Sequence, residues 1–369
     1  MKTLLLVGAG HVHVALLARS AQLRAAGFDI HLIDPGSFWY GGARAALLGG
    51  RLERSALRLP LAAACREQHV RYHADRAIGL DARHRRVWLA SGQMQVFDTV
   101  SHDVGYESAL DIDSDSHHGP ALWQAADVSA MLQFVRVLEQ AQQRSTPLRI
   151  AVVGDGARAA ETVAALAGGP FAAGLQISWV LPGARVSSNA PRGHDRFILR
   201  HLARCGVEIV PQTPISRQTN GAICSRDGRR FPVDHAVFAG PGEAAHFVHA
   251  GRMPASAEGL HVNRWLQSPR DERIYAVGGC AAVLGRRANH QFSVEQQARV
   301  LAHNIEAGAR RRPFKSCRGR PGGPIITLGN GQAIAWRGRW WWQGAALARR
   351  LARRDERWLA WIAGYSQRG

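Results

Sequence analysis

Lysine is almost absent from this chain of 369 residues: Lys2 and Lys315 stand against 45 arginines, so the formal net charge of +19 is an arginine charge. That uniformity reads as a compositional bias of the source more than as a patch shaped for one polyanion. Paired cysteines are missing too. Cys65, Cys205, Cys224, Cys280 and Cys317 are scattered, with no CxxC or CxxxxC spacing. This argues against a disulfide framework, a redox-active disulfide in the first half and a zinc site, and suits reduced thiols in the cytosol. No apolar run reaches about 18 residues, so no spanning helix is expected. Met1 and Lys2 lead straight into an apolar strand, and no signal peptide is expected either. A chain of this length suits two domains with their own cores, since single cores rarely outgrow about 250 to 300 residues.

Glycine, by contrast, is placed with order. TLLLVGAGHVHVALL at 3–17 and LRIAVVGDGARAAETVAAL at 148–166 each join an apolar run of strand length to a tight glycine turn and a helix-period segment. Such a turn presents a helix N-terminus to a diphosphate, and two of them imply two nucleotides. In the first, Gly8 allows the turn and Gly10 admits close approach of backbone N–H groups. His13 replaces the usual third glycine, which predicts looser packing of helix on strand there. Asp34 ends the next strand, FDIHLID, where an acid meets a ribose hydroxyl. In the second, Gly154 and Gly156 are followed by Ala159, but Leu181 and Pro182 occupy the place of the ribose acid. Arg185, just beyond, could accept a 2′-phosphate, which leaves NADH and NADPH both open.

Between the two units, YESALDIDSDSHHGPALW is polar and turn-rich and reads as a crossover. His117 and His118 lie in it beside Asp111, Asp113 and Asp115. Without helical or hairpin spacing they read as an exposed loop, and no metal is expected. From Arg310 onward, 14 basic residues face only Asp355 and Glu356, a net +12 in the last sixth of the chain. On a helical wheel Leu347, Leu351, Trp358, Trp361 and Ile362 share one face, and Arg349, Arg350, Arg353 and Arg357 another. Trp340, Trp341 and Trp342 precede them. This predicts a membrane-surface contact over residues 336–362. No recognised nucleic-acid module accompanies the charge, so no nucleic acid is expected.

One dinucleotide fold, interrupted by another and then completed, is the order of flavoproteins with two dinucleotide-binding domains. The chain resembles the pyridine nucleotide-disulfide oxidoreductase superfamily, and within it the type II NADH dehydrogenases and the flavoproteins associated with selenophosphate synthetase. LLLVGAGHVHV resembles that branch's LVLVGGGHSHV, including His11 and His13. FDTVSHDVG at 97–105 resembles FDVLSIDIG, and HAVFAGPGEAAHFVHAGRM at 235–253, with Gly240, resembles the ATG strand and its loop. IYAVGGCA at 274–281, with Gly278 and Gly279, resembles FAVGDCA, and FSVEQQARVLAHNI at 292–305 the helix whose N-terminus meets the flavin ring.

The resemblance implies an α/β protein with two Rossmann-like domains: an FAD domain from 1–115 and 255–312, an NAD(P)H domain at 145–254, and a C-terminal strand and amphipathic-helix segment at 313–369. It implies hydride transfer from NADH or NADPH to FAD, and on to a quinone or similar acceptor. A sulfur- or selenium-related acceptor and a flavin-poor scaffold are the alternatives. Gly8, Gly10, His11 and His13 would form the FAD loop and Asp34 would hold the adenosine ribose. Asp103 and Gly105 would approach the diphosphate. Tyr40, Gly41, Gly42 and Gln296 would lie near the ring and acceptor, and Gly154, Gly156, Arg158 and Glu161 would serve the nicotinamide nucleotide. The implied location is cytoplasmic, peripheral on the inner face of the cell membrane, and a homodimer is compatible. The chain departs from the pattern at Gly279, where relatives carry the ribityl-binding Asp, a charge-assisted bond of roughly 1.5 to 3 kcal/mol. It departs again at Phe292, where respiratory members carry the first of two Gln residues, and at Leu181.

Overall fold

The computed structural model of the chain describes residues 1–36, 38–50, 52, 55–107, 113–114, 120–240, 243–244, 253–256, 258–285, 293–319 and 323–366. In chain order, the first unit runs through β1 (Lys2–Val7), α1 (His11–Leu17), β2 (Phe28–Ile33), α2 (Arg44–Leu48), β3 (Arg71–His73) and β4 (Thr99–His102). The second follows with β5 (Ala121–Gln124), α3 (Val128–Ala141), β6 (Leu148–Val153), α4 (Gly156–Gly168), β7 (Leu175–Val180), α5 (Arg192–Arg204), β8 (Glu208–Val210) and β9 (His235–Phe238). The chain then returns through β10 (Ile274–Ala276) and α6 (Val294–Ala309), and ends in β11 (Ile326–Thr327), β12 (Ala333–Arg337), β13 (Trp340–Gly344) and α7 (Ala345–Ser366).

Two five-stranded parallel sheets organise the molecule. The first has the order β10-β4-β1-β2-β3, and the second β5-β9-β6-β7-β8. Strands covered on both faces read as unbroken apolar runs, which is why LLLV, IAVV and HAVF carry no alternation. In each sheet the glycine-turn βα unit lies where the order reverses, at β1 between β2 and β4 and at β6 between β7 and β9. That crevice at the carboxyl ends of the strands is where open α/β sheets bind ligands. The second sheet takes its edge strand, β5, from upstream of residue 145. The sheets and the tail share one large apolar cluster, with a smaller one on the far side of the second sheet.

The C-terminal segment packs differently from the expected membrane face. β11, β12 and β13 form an antiparallel sheet against α4 and α5, with Trp341 against Phe197 at 5.5 Å. α7 lies on the first unit, where Leu351, Ile362 and Tyr365 are buried and Trp358 and Trp361 pack against the core. Burying four or five large side chains at about 1.5 to 3 kcal/mol each is a gain the face would forfeit in leaving the body. The large apolar groups left exposed in this segment are Trp340, 68%, and Trp342, 46%. Among the described residues no helix is long and apolar enough to cross a membrane. Asp111, Asp115, His117, His118 and Phe292 lie outside the described residues, as do 245–252; of Asp113 only the backbone is described.

Candidate active site

At the end of β1 the chain turns through Gly8 at φ +86°, where a Cβ would stand 2.6 Å from the Asp103 carbonyl oxygen. A Cβ on Gly10 would overlap the Asp103 carboxyl, and the Gly10 N–H donates to the Asp103 carbonyl at 3.0 Å. Both glycines are therefore required by the close approach of β4's exit. Asp34, one residue past β2, accepts from the Ala9 N–H at 2.8 Å and the Gly36 N–H at 2.9 Å, so its carboxylate sits at the loop. Beyond β4, Gly105 has φ +76° and open space where its Cβ would be.

His13 does not loosen the unit. It is fully buried, with Nδ1 2.7 Å from the Gly8 carbonyl and Nε2 2.8 Å from the Ser101 hydroxyl. A carbonyl only accepts, so Nδ1 carries the proton and Nε2 accepts from Ser101. Burial pushes this imidazole down to about 4, which keeps it neutral. Where a third glycine would have let helix and strand touch, a neutral imidazole fills the gap and ties α1 to both β1 and β4. Asp103 is the second buried polar group here. Its Oδ2 accepts from the Val12 and His13 N–H groups at 2.8 and 3.0 Å, and burial pushes the carboxyl up to about 7. A Cβ on Gly278 would overlap its Oδ1.

Next to this loop is an aromatic layer. His11, the first residue of α1, meets Phe38 edge-on at 4.9 Å, Tyr40 at 5.6 Å and Trp358 of α7 at 6.1 Å. Its Nε2 is buried with no hydrogen-bond partner among the described residues, and burial, then the Arg44 and Arg354 charges, lower its pKa to about 4. Tyr40 stacks on Trp358 at 5.2 Å and 14° and donates to Asp355 Oδ1 at 2.8 Å. Trp358 Nε1 in turn donates to Glu295 of α6 at 3.3 Å. The sequence pointed to Tyr40, Gly41 and Gly42 but not to Asp355 or to Trp358 as their partners. The helical period of 345–366 carries the signal for a buried stripe, not for what it covers.

The second loop follows the first at its first glycine but not at its second, since Gly10 has φ −66°. Gly154, at φ +134°, would place a Cβ 2.3 Å from the Gly240 nitrogen, and Gly156 has φ +79°. Here too the donors are taken within the protein. The Gly156 N–H is taken by the Val186 carbonyl, and Arg158 donates to the Gly240 carbonyl at 3.1 Å. Glu161 accepts from the Thr327 N–H at 3.3 Å, and burial raises its pKa. Arg185 is not poised for a phosphate: it donates to Asp195 at 2.9 Å, to the Ser188 carbonyl at 3.1 Å and to the Ala190 carbonyl.

On α6 the side chains fall one residue away from expectation. Gln296 points to the Arg318 carbonyl at 2.5 Å, while the buried Gln297 accepts from the Gly278 N–H at 2.9 Å, within the turn Gly278–Cys280 that holds Gly279. Ser293 caps the helix and sets this rotation by accepting from the Gln296 N–H. Between α2, α4, the β11–β12 turn and α7 lies a cavity of about 260 Å³. No group of three or more metal-ligating side chains occurs among the described residues.

A family model described as pyridine nucleotide-disulphide oxidoreductase matches residues 2–304. The chain is 26% identical over 210 residues to the type II NADH:quinone oxidoreductase of Haemophilus influenzae, a match covering 51% of this chain and 46% of that protein. It is 24% identical over 283 residues to the demethylphylloquinone reductase of Synechocystis, covering 73% and 69%. The first of these matches thus spans about half the relative's length. Among solved structures, the sulfide:quinone oxidoreductase of Aquifex aeolicus superposes with a TM-score of 0.80 over 99% of this chain and 92% of that one, at 15% identity. With both glycine turns at the reversal points of two parallel sheets, and with 303 of 369 residues matched, the chain belongs to the pyridine nucleotide-disulphide oxidoreductase family.

Proposed function

We propose that the chain is an FAD-dependent NAD(P)H oxidoreductase that passes electrons to a quinone or similar acceptor. The observation that carries this reading is the doubled crevice: two parallel sheets of one build, each with a glycine turn at its reversal point. The first crevice fits FAD. Its loop holds Asp34 beside the Ala9 N–H, Gly105 leaves open space, and the unpartnered His11 Nε2 faces the Tyr40–Gly42 segment. Gly105, with open space where its Cβ would be, would admit the diphosphate and Asp34 the ribose. Asp103 would be tolerated next to a diphosphate because burial leaves its carboxyl partly neutral near pH 7. Bound there, FAD supplies the two-electron relay between nicotinamide and acceptor. Tyr40, Trp358 and His11 exclude water from the adjoining face, and Asp355 orients the Tyr40 hydroxyl by accepting its hydrogen bond. The nicotinamide nucleotide is assigned to the second crevice on topology.

Trp340 and Trp342, flanked by Arg337 and Arg339, are the groups we assign to a membrane surface on the cytoplasmic side, in place of the packed face of α7. A visible spectrum of the purified protein, with and without NADH and NADPH, tests the central reading. Flavin bands that bleach on adding either nucleotide are expected; a protein without them overturns it.

A further inference from the structure

The end of β7 denies the second crevice an acid, and the glycine turn supplies one. Gly8 donates its N–H to the Ile33 carbonyl at 2.8 Å, and Gly154 donates its own to the Val180 carbonyl at 3.0 Å. Ala9 and Asp155 therefore hold the same place, one residue past the first glycine. In the first loop the N–H at this place, that of Ala9, donates to Asp34 Oδ2 at 2.8 Å. In the second, Leu181 is fully buried at the strand end, and the carboxylate of Asp155 itself accepts from the Asp155 N–H. A carboxylate meets this N–H in both crevices; in one it comes from the strand, in the other from the turn.

The fold makes little other use of this carboxylate. Asp155 precedes α4 in extended backbone, at φ −120° and ψ −177°, and its side chain caps no N–H of the helix. Among the described residues it has no ion pair. Beside it, Gly156 has nothing within 4 Å of where a Cβ would stand, which leaves room for a diphosphate. We propose that Asp155 is the ribose acid of the second crevice and that it selects NADH over NADPH. The inference rests on the assignment of the nicotinamide nucleotide to that crevice. A carboxylate accepts from the 2′-hydroxyl of NADH, whereas NADPH carries there a phosphate of about −1.5 to −2 charges. Two anions brought together out of bulk water repel. Arg185 does not offset them, since its guanidinium is held by Asp195 and by the Ser188 and Ala190 carbonyls.

The test is calorimetric titration of the oxidised holoprotein with the tetrahydronicotinamide analogues of NADH and NADPH, which bind but give no hydride. Wild type should bind the NADH analogue tighter by about tenfold or more. Asp155→Ala puts into the second turn the residue that the first turn carries, and it removes no helix cap, so the turn is kept. In this variant the NADH analogue should bind about fivefold weaker and the NADPH analogue no weaker than before, which brings the two within about threefold. Asp155→Asn keeps an acceptor for the hydroxyl and loses the charge. It should bind the NADPH analogue about fivefold tighter than wild type does, and, being isosteric, it judges the proposal even if the alanine variant does not fold. Equal binding of both analogues by wild type, or a ratio that neither variant changes, overturns the proposal. If wild type binds neither analogue, the nicotinamide assignment itself fails; if it binds both and the ratio ignores residue 155, Asp155 alone fails.

Discussion

The two crevices are built alike and end differently. In the first, Val7 pairs with Ile33 and His102; in the second, Val153 pairs with Val180 and Phe238. Asp34 thus corresponds to Leu181, and Asp103 to Ala239. Each loop has the carbonyl of its first glycine held by a buried aromatic N–H, from His13 on the helix in one and from Trp179 on the neighbouring strand, at 2.9 Å, in the other. Both solutions satisfy a carbonyl that the tight turn strips of water. They leave different side chains: Asp34 and the buried Asp103 follow the strands of the first, and Leu181 and Ala239 follow those of the second. Similar strand pairing therefore carries different side chains to the two crevices.

The strongest way to break this comparison is at the glycines. Gly8→Ala combines φ +86° with a backbone contact at 2.6 Å and should cost about 2 to 5 kcal/mol in chemical denaturation. Gly156→Ala meets only the unfavourable φ, with open space around it, and should cost about 1 to 2 kcal/mol. If the two losses are equal, the loops differ less than their surroundings suggest.

Titration should separate the crevices next. His11 and His13 are lowered to about 4, and His102 to about 3, all at the first crevice. A buried neutral imidazole stabilises fully above pH 6.5, and its contribution is lost as pH falls toward 4 because the unfolded chain binds the proton first, at up to about 1.4 kcal/mol per pH unit for each group. Asp103, raised to about 7, acts with the opposite sign: its contribution is present below 3.8 and lost as pH rises through 7. Three histidines outweigh one carboxyl, so urea midpoints should fall between pH 6.5 and 4. Asp103→Asn should steepen that fall. A flat profile would mean that the imidazoles reach water.

The smallest expected effect concerns specificity. Arg185→Ala breaks bonds to Asp195 and two carbonyls and should destabilise by about 1 to 3 kcal/mol, while leaving the ratio of NADPH to NADH affinity unchanged. A ratio shifted toward NADH would return this loop to the role of a phosphate site.

Gly8, Gly10, Asp34, Gly154 and Gly156 were legible in the sequence because a strand, a tight turn and a helix leave a local signature. The absence of an acid at Leu181 was legible for the same reason. The orientation of Gln296 and Gln297 was not, since one residue of helix phase depends on where Ser293 caps α6. Nor was the engagement of Arg185, which depends on Asp195 ten residues away. Tryptophans at helical spacing mark an apolar face, and the same face serves a lipid or a protein body equally well.

The sequence by itself determined the two strand–turn–helix units and their order along the chain, because backbone conformation and apolar burial act over a few residues. Only the tertiary structure decided that His13 tightens its unit, that Asp103 meets α1 and that α7 closes over Tyr40. Those outcomes depend on groups as far apart as Tyr40 and Asp355, whose contact pays off only once both sheets have formed.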